Sequence, residues 1–272
     1  MRWAAGSAHW PGMRNGSVTC FGVGDGWPCA DRGHAAFLYR LAGSTILIDF
    51  GEPLAARVRA ARLDYNLIDA GFLSHLHADH YGGLFMFLQG AWLEGRTRRL
   101  PIHVPRPAVK PLKAMLEAGL LMNELLDFEL KLEPLKARVP VPVKASKVTA
   151  YPTTHLAKLQ ARFGRNRPGL FQSFCFLIEG GGVRIGHSAD LGCPEDLLPL
   201  LKQPLDLLVC ELSHFAPEDL FGFLRDKPVK QVVFVHLNRS AWKNLERTRR
   251  LAVQRLGGIR HVFARDNQVI RF

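Results

Sequence analysis

The sequence predicts an α/β protein, a single domain in two similar β-rich halves that each carry helices. Three observations predict it. Short apolar runs bounded by glycine and proline recur along the chain, stretches with helical spacing fall between them, and no linker or internal repeat separates two units. With 272 residues, 47% of them hydrophobic, the chain is long enough to bury a sizeable core.

The composition is ordinary for a globular protein and excludes a disordered, collagen-like or low-complexity chain. No apolar run approaches the ~20 uncharged residues of a membrane-spanning helix, and the first residues lack the apolar core of a secretory signal. A soluble, cytoplasmic protein with no membrane partner is expected. The five cysteines (Cys20, Cys29, Cys175, Cys193 and Cys210) are odd in number and scattered, which points to reduced, mostly buried thiols. Lysine and arginine exceed aspartate and glutamate by 36 − 24 = 12, and a surplus of that size favours phosphate-bearing partners.

The elements follow in order. Residues 1–16 read as an N-terminal extension, and 17–272 as a single domain. VTCFGVGDG is a strand running into a glycine-rich turn, and AAFLYRLAGSTILIDFG a hairpin turning at Gly43–Ser44. Ile68–Ser74 leads into HLHADH, and Gly82–Gly83 precede a buried helix, LFMFLQGAWLEG. RLPIHV is a strand, and Pro111–Leu130 has leucines and methionines at helical spacing. Short strands return in ARVPVPVKASKVTAYPTTH, and SFCFLIE with GVRIGHS makes a hairpin across Gly180–Gly182. Leu207–Leu212 and Val229–His236 read as parallel strands separated by the helix PEDLFGFLRD. NLERTRRLAVQRLG is a basic amphipathic helix, and HVFARDNQVIRF closes as a hairpin through Asp266–Asn267.

The chemistry concentrates in His75, His77, Asp79 and His80. At a strand end the period of two puts His75 and His77 on one face, and the turn that follows can aim Asp79 and His80 at the same point. Three histidines and a carboxylate within six residues are costly to bury unless a cation satisfies them. Neutral imidazole with carboxylate suits zinc, and also manganese or iron. Further candidates sit at the ends of later apolar runs: His155, Asp190 and His236.

In this order the motif resembles the metallo-β-lactamase superfamily, and within it the ribonuclease Z-like phosphodiesterase branch. The resemblance runs from about Ser17 through FGVGDGWPCADRG, ILIDFGE, HLHADHYGGL, His155, HSADLG, CELSHF and VVFVHL. It implies a four-layer αββα sandwich of two mixed β-sheets. It implies two divalent metal ions, zinc by first choice, with His75, His77 and His155 on one, Asp79, His80 and His236 on the other, and Asp190 with a hydroxide between them. Asp79, Glu211 and His214 are the catalytic candidates, the last two for protonating the leaving oxygen. Asp49 and His187 are supports behind the ligands. Two departures stand out: the aspartate that normally follows glycine follows Ala189, and Cys210–Glu211 stands where ribonuclease Z has His-Glu.

Between His155 and Asp190 there is no room for the long arm with which ribonuclease Z grips precursor tRNA. Lys158, Arg162, Arg165 and Arg167 offer a basic loop for phosphate instead. The implied activity is hydrolysis of a phosphodiester, in RNA or a small nucleotide. A carboxylic ester, lactone, thioester or sulfate ester is the alternative bond, because the same hydroxide attacks carbon as readily as phosphorus. A non-catalytic, metal-containing RNA-binding protein is the alternative class, and a homodimer is compatible with the resemblance.

Overall fold

The computed structural model describes residues 16–167 and 169–272. The chain builds two seven-stranded mixed sheets, packed face to face with helices on both outer sides, and so forms the expected αββα sandwich. Of the expected extension only Gly16 is described, and it already belongs to the first strand. Among the described residues no helix is long and apolar enough to cross a membrane.

The first sheet contains β1 (Gly16–Gly22), β2 (Ala36–Leu41), β3 (Ser44–Ile48), β4 (Ala70–Phe72), β5 (Leu100–Val104) and β6 (Leu130–Pro134). The second contains β7 (Pro140–Val143), β8 (Ser146–Pro152), β9 (Phe174–Gly180), β10 (Val183–His187), β11 (Leu207–Leu212), β12 (Gln231–Leu237) and β13 (Arg260–Phe263). The last strand, β14 (Gln268–Arg271), returns to the first sheet, whose order is β14-β1-β2-β3-β4-β5-β6. The second sheet runs β13-β12-β11-β10-β9-β8-β7. Each sheet is antiparallel over one half and parallel over the other.

Helices α1 (Leu54–Ala60), α2 (Ala78–Tyr81), α3 (Leu84–Leu93) and α4 (Val109–Ala118) follow strands of the first half. Helices α5 (Ala157–Phe163), α6 (Pro217–Leu224), α7 (Arg239–Lys243) and α8 (Leu245–Arg255) belong to the second. Strand residues of alternate parity fill the space between the sheets, among them Phe37, Tyr39, Phe72, Phe176 and Val209. Their strand neighbours point outward and meet helix residues: Leu47 lies in one outer core with Phe87 of α3 and Leu112 of α4, and Leu208 and Phe234 lie in the other with Phe221 of α6. The Tyr39 hydroxyl meets His187 Nδ1 at 2.7 Å across the sheet interface.

Three elements differ from the sequence reading. The β2–β3 hairpin turns at Ala42–Gly43, both with positive φ, one residue earlier than expected. The expected Pro111–Leu130 helix ends at Ala118, because Gly119 and Leu120 (φ 57°) break it. Leu121, Leu126 and Phe128 are buried all the same, so their apolar spacing served the core from irregular chain. The closing hairpin does not form: β13 pairs with β12 in one sheet and β14 with β1 in the other. Asp266 sits at that crossing, where its carboxylate accepts the Val23 and Gly33 N–H groups and pairs with Arg57 at 3.0 Å. These long-range partners, invisible in a local pattern, divert the chain between sheets.

Candidate metal centre

The residues of the HLHADH motif follow β4; His155, Asp190 and His214 follow β8, β10 and β11, while Glu211 and His236 lie near the carboxyl ends of β11 and β12 themselves. Those four strands of the second sheet run in one direction, so their carboxyl ends open at one edge, where an open α/β sheet presents its ligand-binding groups. Arg96, 1% exposed, holds the segment leading into β4 by donating to the carbonyls of Tyr65, Ile68 and Arg99. After β4 the chain is extended rather than part of the strand, and His77 (φ −75°, ψ 142°) still brings its ring back toward His75, Nε2 to Nδ1 at 3.0 Å.

The structure draws seven of the predicted residues into two groups with one member in common. His75, His77, His155 and Asp190 form the first, and Asp79, His80, Asp190 and His236 the second; within each, the ligand atoms lie within 4.8 Å of one another. Asp190 divides its carboxylate between them. Its Oδ2 faces His75 Nε2 at 3.7 Å and His155 Nε2 at 3.5 Å, while Oδ1 faces His80 Nε2 at 3.3 Å and His236 Nε2 at 3.5 Å. His155 Nε2 also lies 3.1 Å from His77 Nδ1, and Asp79 Oδ2 3.2 Å from His236 Nε2.

The two groups differ in protonation. Burial holds His75, His77 and His155 below the ordinary imidazole range, His155 at about 4. Burial opposes charge on His80 and His236 as well, and is the largest single influence on each, but Asp190 and Asp49 together outweigh it at His80, and Asp190 and Asp79 together at His236, where the pKa rises to about 9. The histidine charges around Asp190 in turn keep its carboxyl ionised although it is buried. His80 Nε2 and Asp190 Oδ1 are both buried without a hydrogen bond. Five imidazoles and two carboxylates aimed inward, three of the imidazoles neutral and two atoms unsatisfied, fit divalent cations and fit an apolar core poorly.

The supports come next. Asp49 stands at φ 59°; its Oδ2 accepts from His80 Nδ1 at 2.7 Å and its Oδ1 from the Ser74 N–H at 2.8 Å, which orients His80. Glu211, fully buried, accepts from the N–H groups of Leu191, Ser213 and His214 and faces His214 Nδ1 at 2.8 Å. That pair turns His214 Nε2 toward Asp190 Oδ2 at 3.8 Å, at the mouth of the cluster. Burial disfavours the His214 cation, yet the Glu211 carboxylate raises its pKa above the ordinary value. His187 contacts Tyr39, Phe37 and Phe176, which gives it a packing role between the sheets. Ala189 and His236 are left-handed at φ 45° and 50°, strain of the kind that gathers at functional sites. Ala189 thus holds the conformation that glycine adopts freely in the resembling motif.

Lys158 and Arg162 lie on α5, and Arg165 and Arg167 just beyond it; all four are exposed, with Arg162 stacked on Phe163. The apolar side chains of the same segment, Leu156, Leu159, Leu170 and Phe171, line a cavity of about 260 Å³ beside His77.

Sequence reasoning missed Asp196. Its Oδ2 accepts from the Thr154 N–H and hydroxyl and from the Gly192 N–H, tying the loop of His155 to that of Asp190. No local signal distinguishes it from any acid at the start of a helical turn. His34 and His103 stand away from the cluster: one bonds the Asp25 carbonyl, the other stacks on Phe72.

Comparison with known proteins agrees with the geometry. The beta-lactamase superfamily domain matches residues 44–237. The ribonuclease Z of Archaeoglobus fulgidus is 30% identical over 141 residues, 52% of this chain and 45% of that protein. That of Methanothermobacter thermautotrophicus is 27% identical over 198 residues, 66% and 62% respectively. The chain spans about half the length of the first of these curated relatives. In fold it is similar to the metallo-beta-lactamase fold protein YhfI of Bacillus subtilis, with a TM-score of 0.76, 17% identity, and 95% of this chain and 100% of that one covered. It is also similar to the short form of human tRNase Z, with a TM-score of 0.70, 20% identity, and 93% and 98% covered. Matched over more than half of its length, the chain belongs to the beta-lactamase superfamily.

Proposed function

We propose that the protein is a binuclear metal-dependent hydrolase that cleaves a phosphodiester in RNA or a small nucleotide. One observation carries the reading: the buried Asp190 carboxylate presents one oxygen to each of two histidine groups. His75, His77 and His155 would hold one ion, Asp79, His80 and His236 the other, and Asp190 both, with zinc the first choice for this donor set. When bound, a pair of such ions activates water near neutral pH and stabilises charge on the attacking and leaving oxygens of an in-line displacement.

The chain's own residues supply the rest. Asp49 locks the His80 ring so that its Nε2 points into the cluster. Glu211 holds the His214 imidazolium by Nδ1, and His214 Nε2 delivers a proton to the leaving oxygen. Two observations favour phosphorus over carbon: the surplus of 12 positive charges, and relatives named ribonuclease Z. The test is turnover of bis(p-nitrophenyl) phosphate by metal-loaded protein, with Asp190→Ala as control. Metal-dependent cleavage lost in that variant is the expected result. No cleavage, beside good turnover of a lactone or thioester, moves the assignment to a carboxylic ester.

A further inference from the structure

A second cavity, of about 540 Å³, opens where the β1–β2 loop meets the segment after β12. Two tryptophans and three cations line it: Trp27 and Arg32 from the loop, Arg239, Trp242 and Lys243 from the other side. The Arg239 guanidinium lies 4.4 Å from the centre of the Trp27 ring, and that of Arg32 4.8 Å from Trp242. Trp27 remains 57% exposed, an expensive display for so large an apolar ring. Arg32 pairs with the exposed Asp31, whereas no ion pair joins Arg239 or Lys243 to another described residue. Among the described residues of the lining, Asp25 is the one acid.

The cavity adjoins the metal centre. The His236 N–H donates to the Val23 carbonyl at 2.8 Å, and Gly24 bridges to Leu237. A methyl group at Gly26 would stand 3.3 Å from Asp79 Oδ2. Arg239 is three residues past His236. The cavity therefore flanks the Asp79–His236 side of the cluster, and the apolar cavity beside His77 flanks the other.

Indoles with unpaired guanidinium and ammonium groups match one ligand chemistry, a planar base that carries phosphate. We propose that this cavity is a nucleotide subsite, in which Trp27 stacks the base next to the scissile bond and Arg32, Arg239 and Lys243 hold its phosphate. The inference rests on the phosphodiesterase reading, and deepens it by naming the group on one side of the bond. The ligand has two sources, a free nucleotide or one residue of an RNA strand.

Calorimetric titration of the metal-loaded protein with AMP, adenosine, inorganic phosphate and hexaadenylate tests it. AMP is expected to bind at least tenfold more tightly than adenosine or phosphate. Trp27→Ala should weaken AMP by about tenfold to a hundredfold, as loss of a stacked base does. Trp27→Phe should restore most of that loss, and the double substitution Arg239→Gln/Lys243→Gln should reduce AMP to the level of adenosine. Hexaadenylate binding more than tenfold tighter than AMP identifies the strand as the source; equal binding identifies the free nucleotide. AMP affinity unmoved by these substitutions, or no binding of either nucleotide, overturns the subsite. Bis(p-nitrophenyl) phosphate carries no base, so failure of its cleavage counts against the phosphodiesterase reading, and failure of the titration against the subsite.

Discussion

The two sheets follow one plan, seven strands with an antiparallel and a parallel half, yet they feed the candidate metal centre differently. The first contributes His75, His77, Asp79 and His80 from six consecutive residues after a single strand. The second contributes His155, Asp190 and His236 one at a time, from the ends of three strands, with Glu211 from a fourth. Their supports differ likewise. Asp49 acts by a direct contact with a ligand ring, whereas Asp196 acts through backbone, clamping the two loops that carry His155 and Asp190. A compact motif needs its rings oriented; a dispersed set needs its loops brought together.

Four experiments probe that contrast, in decreasing order of effect. Asp190→Asn removes the carboxylate that joins the two groups, and phosphodiester turnover should fall by about 10³-fold or more, with metal content reduced. Elemental analysis beside kinetics checks it, and full metal content in an active variant would separate the groups. His214→Ala should cost about 10²–10⁴-fold on a substrate with a poor leaving group, the usual worth of a positioned acid, and less on a nitrophenyl ester. An equal loss on both would deny His214 the proton. Asp49→Asn should weaken metal binding about 10–100-fold, as loss of a ring-orienting carboxylate does, with thermal stability lowered little. Asp196→Ala should instead lower stability by about 1 kcal/mol by removing three hydrogen bonds that its buried carboxylate accepts from Thr154 and Gly192. Chelator competition and thermal melts on the two variants sharpen the contrast, and identical profiles would erase it.

A further effect, confined to acid pH, lies outside the site. Burial against Phe72 depresses the His103 pKa to about 4, so below pH 6.5 the unfolded chain takes up a proton that the folded one refuses. Its contribution is unchanged above pH 6.5 and is lost as pH falls from about 6.5 to 4. Denaturant melts across that window should show His103→Phe with a flatter decline than the parent.

The contrast also explains what was legible beforehand. His75, His77, Asp79 and His80 announce themselves because four ligands in six residues have no cheap apolar explanation. His155, Asp190 and His236 became candidates as lone polar residues ending apolar runs, and the resemblance grouped them. The resemblance named Glu211 and His214 as catalytic candidates; the 3.8 Å between His214 and Asp190 belongs to the fold. The hairpin expected at Asp266–Asn267 failed for the same reason, since a turn signal specifies a reversal and says nothing about which sheet receives the next strand.

Residue types and their spacing determined by themselves an α/β domain with helices on two β-rich halves, a hexapeptide dense in candidate metal ligands and an excess of positive charge, because periodicity and desolvation cost act locally. Tertiary structure alone decided that Asp190 divides its oxygens between two histidine groups, that Asp196 and Asp266 clamp distant loops, and that Trp27 and Arg239 meet beside His236. Such contacts join residues scores of positions apart, and nothing short of the packed sandwich brings them within reach of a hydrogen bond.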